Sequence, residues 1–442
     1  MTPRRSASLS LAFLLGVGLL SVGHGPVSAG LDGDGHLDLV FANLVNRNRT
    51  CEGDGAGVFA CSDVSTDADA STGVALGDFD GDGEVDAIFS GGGDEDQVCL
   101  GDGSGGFSCS NVSNGMEDGL DVAVGHLDGD DDLDAVFANY GLANELCIGN
   151  GSGAFSCSDV SADTYSSSGV AVGDVDGDGT ADLIFANYDQ RNRVCSNNGL
   201  AVFTCSDIST DDLGSFDVAL GDIDGDRDID AVFANGSDQH RNRKCVNDGE
   251  GSFTCSDVST DEDHSYGVAL GDVDGDGHLD AVFAVSGVDR VCLNNGTGSF
   301  SCDDASGEAT MSRGVALGDL NEDGDLDAVF ANEGVNNESR FCAGDGTGSF
   351  SCSDVSSDAL NSYAVAVATP LCDGLVPTIP GTAGPDTIHG TYAVDVIWAW
   401  DGDDTVYGYD DDDVICLGDG DDYTEAGDGD DTIYGDDGMD EI

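Results

Sequence analysis

Four aspartates stand in the nine residues D-F-D-G-D-G-E-V-D: Asp78, Asp80, Asp82 and Asp86, at positions 1, 3, 5 and 9 of a loop. Carboxylates this close repel one another unless a cation sits among them. Hard cations such as calcium take about 6–8 oxygen ligands, and glycine lets such a loop turn sharply. The chemistry expected here is divalent-cation binding. An acidic solvated turn is the alternative for one loop taken alone. The loop returns, however, with position 5 at Asp34, Asp82, Asp130, Asp178, Asp226, Asp276 and Asp323, in steps of 48, 48, 48, 48, 50 and 47 residues. Repeats of this length mark solenoids or propellers, and seven copies suit a closed ring.

Each copy reads strand, acidic loop, strand, connector, strand, turn, strand. In the sixth copy the strands fall at residues 267–271, 281–285, 290–293 and 301–304. Val268, Ala269 and Leu270 form a short apolar run, as for a strand buried on both faces. Asn294-Asn295-Gly296-Thr297-Gly298 is a hairpin turn, because Asn and Gly tolerate positive φ. A four-stranded antiparallel unit of this length is one propeller blade. Every copy also carries two cysteines flanking that hairpin: Cys51/Cys61, Cys99/Cys109, Cys147/Cys157, Cys195/Cys205, Cys245/Cys255, Cys292/Cys302 and Cys342/Cys352. Nine intervening residues do not match a zinc-ligand spacing, so seven disulfides are expected, one per blade.

The first copy lacks an apolar strand ahead of its loop. The missing strand is supplied by S-Y-A-V-A-V-A at residues 362–368, which resembles S-Y-G-V-A-L-G at 265–271 and has no acidic loop after it. It is expected to pair with residues 39–43 and close the ring, removing two sheet edges. Ahead of the first copy, Arg4 and Arg5 precede an apolar run at residues 9–23, and Val27-Ser28-Ala29 offers a cleavage site. That pattern is a secretory signal, too short to span a membrane. No other segment could span one, so a secreted, extracellular protein is expected.

The chain carries 88 acidic against 13 basic residues, a formal net charge of −75, with Lys244 its single lysine. It cannot bind nucleic acid by neutralising phosphates. Most of the acid falls in the repeated loops, so metal binding explains it better than a general solvated surface. Adaptation to high salt is a second cause of the same composition.

The blades resemble FG-GAP/VCBS repeats, which build the integrin α-chain propeller, over about residues 30–369. The resemblance implies calcium bound on one face by the loop between first and second strands. Carried over, the ligand sets are Asp78/Asp80/Asp82/Asp86, Asp174/Asp176/Asp178/Asp182, Asp222/Asp224/Asp226/Asp230 and Asp272/Asp274/Asp276/Asp280. The seventh set is Asp319/Asn321/Asp323/Asp327, still all oxygen. Gly30 takes position 1 in the first copy, leaving Asp32, Asp34 and Asp38, and His126 takes it in the third, leaving Asp128, Asp130 and Asp134. Those two sites are expected to be weakest. The resemblance also places ligand contacts on the opposite face. There this chain has Asn46-Arg47-Asn48-Arg49, Gln190-Arg191-Asn192-Arg193, His240-Arg241-Asn242-Arg243, Tyr140, Tyr188, Phe216, Tyr266, Arg313 and Tyr363. Such side chains can recognise sugars, carboxylates or peptides. They could equally neutralise an acidic surface and cover strand ends.

After a proline-bearing linker at residues 370–380, a nine-residue register runs from Gly381 to Ile442. Position 6 is Asp386, Asp395, Asp404, Asp413, Asp422, Asp431 and Asp440, and position 8 is mostly aliphatic. This resembles the RTX, or haemolysin-type, nonapeptide of parallel β-rolls, which implies calcium held between turns by the aspartates. Cys372 and Cys416 are left for an eighth disulfide tying linker to roll.

The fold expected is all-β: a seven-bladed β-propeller at 30–369, then a short parallel β-roll at 381–442, after a signal at 1–29. The histidines sit at unrelated repeat positions, no nucleophile motif occurs, and regularly repeated carboxylates read as ligands. No enzymatic activity is expected. The function expected is an extracellular calcium-binding module for adhesion or for a glycan or protein ligand. The alternatives are a structural scaffold and a propeller lyase or hydrolase acting on polysaccharide.

Overall fold

The computed structural model describes residues 30–442 except 66–69, 113–117, 131, 211, 213, 237–240, 306, 308, 335, 336, 358–360, 373–376, 401, 412, 419, 430, 436 and 437. The signal expected at 1–29 and His240 lie outside the described residues. Those described form strands, bridges and turns with no helix. A four-stranded antiparallel unit recurs, for example Ser167–Gly173, Asp182–Asn187, Arg193–Ser196 and Thr204–Asp207, paired in that order. In one unit the strands come from both ends of the repeat array. Ser362–Ala368 pairs with Asp38–Asn43, Leu39 opposite Val367 and Phe41 opposite Val365. The first strands of successive units pack against one another, giving a propeller-like fold.

Burial follows the sequence pattern. The second strand, D-A-V-F-A-N or a close variant, is buried at every residue, because both its faces meet neighbouring sheets. The phenylalanines Phe137, Phe185, Phe233, Phe283 and Phe330 fill the layers between sheets. First strands approach so closely that a Cβ on Gly169 would stand 2.7 Å from the Asp217 Cα. The fourth strand alternates half-buried and exposed residues, as an outer edge should.

All seven cysteine hairpins are closed, each pair directly opposite in register, as with Cys147 and Cys157. Their turns brace the preceding unit: the Gly153 N–H donates to the Phe79 carbonyl at 2.7 Å, and Asn247 Nδ2 to the Val175 carbonyl at 2.7 Å. At the other end of the strands a second brace operates. Asn192 Oδ1 accepts from the Asn187 N–H at 2.9 Å, while its Nδ2 donates to Ser215 Oγ of the next unit at 2.9 Å. Asn48, Asn144 and Asn242 repeat this link with Ser71, Ser167 and Ser265.

The C-terminal region forms two parallel sheets, one strand per half-coil. Ile388, Ile397, Val406 and Ile415 fill the space between them. The roll starts earlier than the sequence reading placed it. Ile379–Pro380, inside the expected linker, pairs parallel with Val396–Trp398. Ile379 stands nine residues before Ile388, so it continues the inward aliphatic row. Cys372 and Cys416 form the eighth disulfide.

Candidate metal sites and the opposite face

Five of the seven acidic loops are shaped by their own first aspartate. Asp78 Oδ1 accepts from the Gly81 N–H at 2.7 Å and Oδ2 from the Gly83 N–H at 2.8 Å. Asp174, Asp222, Asp272 and Asp319 fold their loops in the same way. Carboxylate oxygens of Asp78/Asp80/Asp82, Asp174/Asp176/Asp182, Asp222/Asp224/Asp226 and Asp272/Asp274/Asp276 each lie within 4.8 Å of one another. In those four loops one further fact points to a cation. Asp80, Asp176, Asp224 and Asp274, all at position 3, each bury an Oδ1 that has no protein partner. An unpaired buried carboxylate oxygen is costly, and a hard cation is its natural complement. The donor set therefore fits calcium in these four copies.

The other three copies differ. A Cβ at Gly30 would stand 2.3 Å from the His36 carbonyl, so position 1 of the first loop is held to glycine. His126 Nδ1 pairs with the Asp132 carbonyl at 3.2 Å in the third. In the seventh, Asn321 Nδ2 donates to Asp327 Oδ1 at 3.1 Å. The aspartates of the first and third loops, Asp32, Asp34, Asp128 and Asp130, line exposed or half-buried turns.

Position 9 has a role that the spacing alone did not indicate. Asp38, Asp86, Asp134, Asp182, Asp230, Asp280 and Asp327 are wholly buried. Asp230 Oδ1 accepts from the Asn247 N–H at 2.7 Å and Oδ2 from the Ile223 N–H at 3.2 Å, and the other six repeat this double bond. Burial, opposed by these amides and reinforced by nearby carboxylates, pushes Asp230 up to about 8 and Asp86, Asp182, Asp280 and Asp327 to about 7. Asp230→Ala is expected to orphan two buried N–H groups and lower stability by roughly 2–5 kcal/mol. Asp226→Ala, at exposed position 5, should change the chelated protein by under about 0.5 kcal/mol. Denaturant melts of both variants in chelator check this; equal losses would contradict the assignment.

In the roll, position-6 aspartates stack one per coil. The Asp386 N–H donates to Asp404 Oδ1 at 2.7 Å, that of Asp404 to Asp422 Oδ1 at 2.8 Å, and that of Asp422 to Asp440 Oδ1 at 3.3 Å. Asp395, Asp413 and Asp431 form the second stack. Asp404, Asp413 and Asp422 each bury an Oδ2 without a protein partner, so calcium fits there too. Burial first, then neighbouring aspartates, pushes Asp404 up to about 7 and Asp413 to about 8. The first two nonapeptides differ, because Thr382 and Thr391 donate backbone N–H and hydroxyl to Asp386 and Asp395.

At the opposite strand ends, the arginines singled out in the sequence are paired within their own units. Arg47, Arg191 and Arg241 reach Asp63, Asp207 and Asp257 at 2.7, 2.8 and 2.8 Å. The aromatics, in contrast, meet one another. Ring centroids of Tyr140 and Tyr188 are 6.4 Å apart, Tyr188 and Phe216 5.2 Å, Phe216 and Tyr266 4.8 Å. The Arg313 guanidinium then stands 4.0 Å from the Tyr266 centroid and 5.1 Å from that of Tyr363, with Glu333 on its Nε. Sequence reasoning missed Asp121 and Asp217, beside this crescent on the first strands of their units. They accept from the N–H groups of Val170 at 3.0 Å and Val268 at 2.9 Å. The repeat alignment holds the signal, since equivalent positions are Gly73, Gly169, Gly267, Gly314 and Ala364. Burial, and for Asp217 also the charge of Asp121, raises them to about 6 and about 7.

Among described residues no helix is long and apolar enough to cross a membrane. No curated protein matches the chain. Three solved structures share the fold at low identity. One is an Agrocybe aegerita lectin described as recognising non-reducing terminal N-acetylglucosamine: 18% identity, 77% of this chain and 95% of that one, TM-score 0.52. Another is the BP39L lectin of Burkholderia pseudomallei: 14%, 71% and 97%, TM-score 0.51. The third, from Desulfotomaculum acetoxidans, is described as functionally unknown: 12%, 76% and 99%, TM-score 0.54. The FG-GAP-like repeat profile matches residues 30–89, 126–185, 174–233, 222–283 and 272–330. The RTX calcium-binding nonapeptide profile matches 380–415 and 417–442, which makes Ca²⁺ a ligand of this protein. With more than half of its length so matched, the chain belongs to the FG-GAP-like repeat family and ends in RTX calcium-binding repeats.

Proposed function

We propose that the protein is a secreted, non-catalytic binding module. On this reading it is a seven-bladed propeller, closed by residues 362–368 and calcium-loaded at its acidic loops, that takes a glycan or protein ligand on the opposite face. The observation that carries the reading is the aromatic crescent from Tyr140 to Arg313 and Tyr363. Adjoining blades contribute its side chains from two repeat positions, Tyr140 and Tyr188 just after the second strand and Phe216, Tyr266, Arg313 and Tyr363 in the first strand. Aromatic side chains lend themselves to recognition because they offer large contact area at small entropic cost, and arginine adds a planar fork of donors. The two lectins of like fold favour a sugar as the first ligand to test, and eight disulfides favour an oxidising, extracellular setting.

A glycan array, paired with a peptide screen, tests the proposal. Wild-type protein in calcium should bind a defined set of probes. Tyr188→Ala combined with Phe216→Ala should weaken that binding by roughly 2 kcal/mol, about thirtyfold. The melting temperature should stay within a few degrees. Binding that survives both substitutions would move the ligand elsewhere; self-assembly without any ligand would favour a scaffold.

A further inference from the structure

The acidic loops use glycine at positions 4 and 6 because both take left-handed backbone, φ +73° and +84° at Gly275 and Gly277. Three copies break this rule, and Asp131, at position 6 of the third loop, lies outside the described residues. Arg227 holds position 6 of the fifth loop at φ 75°, and Glu322 holds position 4 of the seventh at φ 57°. A side chain in this region is strained, and such strain persists where surrounding contacts enforce it. Each of the two makes a contact outside its own loop. Glu322 pairs with His36 of the first loop. Arg227 leaves its unit for the C-terminal roll.

The Arg227 contact joins two candidate calcium sites. Its N–H donates to Asp222 Oδ2 at 2.9 Å, so its backbone helps to form the fifth loop. Its Nη1 donates to the Tyr392 hydroxyl at 2.8 Å, and its carbonyl accepts from the Tyr392 N–H at 3.2 Å. Its guanidinium lies 4.1 Å from the Tyr409 ring centroid. Tyr409 is itself left-handed, at φ 90°, in the nonapeptide that carries Asp413. Asp224 at one end of this bridge and Asp413 at the other each bury an unpartnered carboxylate oxygen. A second contact runs parallel: the Ala383 N–H donates to Asp319 Oδ2 at 3.3 Å. Trp400 packs into the cluster holding Leu37 and Leu320, position-8 and position-2 residues of the first and seventh loops.

We propose that the roll docks on the metal-loop face as a calcium-coupled clamp, with Arg227 linking the fifth propeller loop to the Asp413 turn of the roll. Two acidic surfaces meet there and repel unless cations sit on both sides of the contact. A cation in the fifth loop fixes the left-handed backbone from which Arg227 projects. A cation in the roll fixes the turn that presents Tyr409 and Tyr392. Each ion therefore favours the geometry that the other needs, and such coupling is reciprocal. The inference rests on reading the loops as calcium sites.

The test uses the full chain carrying Trp398→Phe, which leaves Trp400 at the contact as the single tryptophan. Calcium is titrated while Trp400 fluorescence is followed. Arg227→Gly restores the residue that most other loops use, so the loop itself should be relieved, not damaged. We expect this variant to shift the Trp400 midpoint to about fivefold higher calcium or more. Asp413→Asn in the roll should lower the calcium affinity of the propeller loops by a similar factor, read by calorimetry. An Arg227→Gly midpoint equal to that of its parent would overturn the clamp while leaving the calcium sites standing. A parent protein whose Trp400 signal ignores calcium would likewise overturn the clamp, whereas calorimetry showing no calcium bound at all would remove the calcium reading itself.

Discussion

Chelating calcium at pH 8 is expected to lower the melting temperature much further than the same treatment at pH 5. At ten times its dissociation constant a cation stabilises the folded state by about 1.4 kcal/mol per site, so the four complete loops together contribute about 6 kcal/mol. That is a large fraction of the ~5–15 kcal/mol by which domains are usually stable. The pH dependence comes from the position-9 aspartates. Their folded-state values, about 7 at Asp86, Asp182, Asp280 and Asp327 and about 8 at Asp230, lie above the ordinary carboxylate value of about 3.9. The metal-free folded chain thus holds protons that the unfolded chain releases. This contribution is complete below about pH 4 and is lost as pH rises through 7 and 8. At pH 5 protons partly replace the missing cations; at pH 8 neither is present. Thermal melts followed by near-ultraviolet dichroism, with and without chelator at both pH values, measure the difference. Equal melting temperatures with and without chelator at pH 8 would contradict it.

Reduction of the disulfides should have a still larger effect. Each of the seven hairpin bridges spans a sequence separation of 10. Closing so short a loop contributes about 3 kcal/mol in the chain-entropy account, so seven contribute about 20 kcal/mol. That exceeds any ordinary net stability. Protein reduced and alkylated in denaturant, then returned to saturating calcium, should stay unfolded. Cys372→Ser with Cys416→Ser should be far milder, because it removes one bridge and leaves every blade closed. Refolding of the fully alkylated chain to its native dichroism would show that packing of second strands such as Asp134–Asn139 suffices without the bridges.

The parts legible in the sequence are those that a short window encodes. Alternating apolar runs, Asn-Gly turns and paired cysteines specify the four-stranded unit because a hairpin is a local object. Aspartates at fixed spacing mark the loops for the same reason. What the sequence hid depends on partners distant along the chain. Position-9 aspartates read only as ligands until the amide at the end of the third strand, at Asn247 for Asp230, is seen to engage them as well. Asp386 and Asp395 look like their neighbours until Thr382 and Thr391 close on them. Arg191 looks free until Asp207 on the fourth strand meets it. The aromatic crescent and the Arg227 bridge draw on residues tens or hundreds of positions apart, which no periodicity records. Departures from the repeat, at Asp121, Asp217, Arg227 and Glu322, were the readable trace of such contacts.

Divalent cations are expected to be what lets this much negative charge share one compact body. Counting calcium on desalted, native protein by atomic emission tests it most directly. At least four ions are expected for the complete propeller loops plus those of the roll, released together with loss of the folded dichroism. A protein that holds no calcium and is equally folded would contradict it.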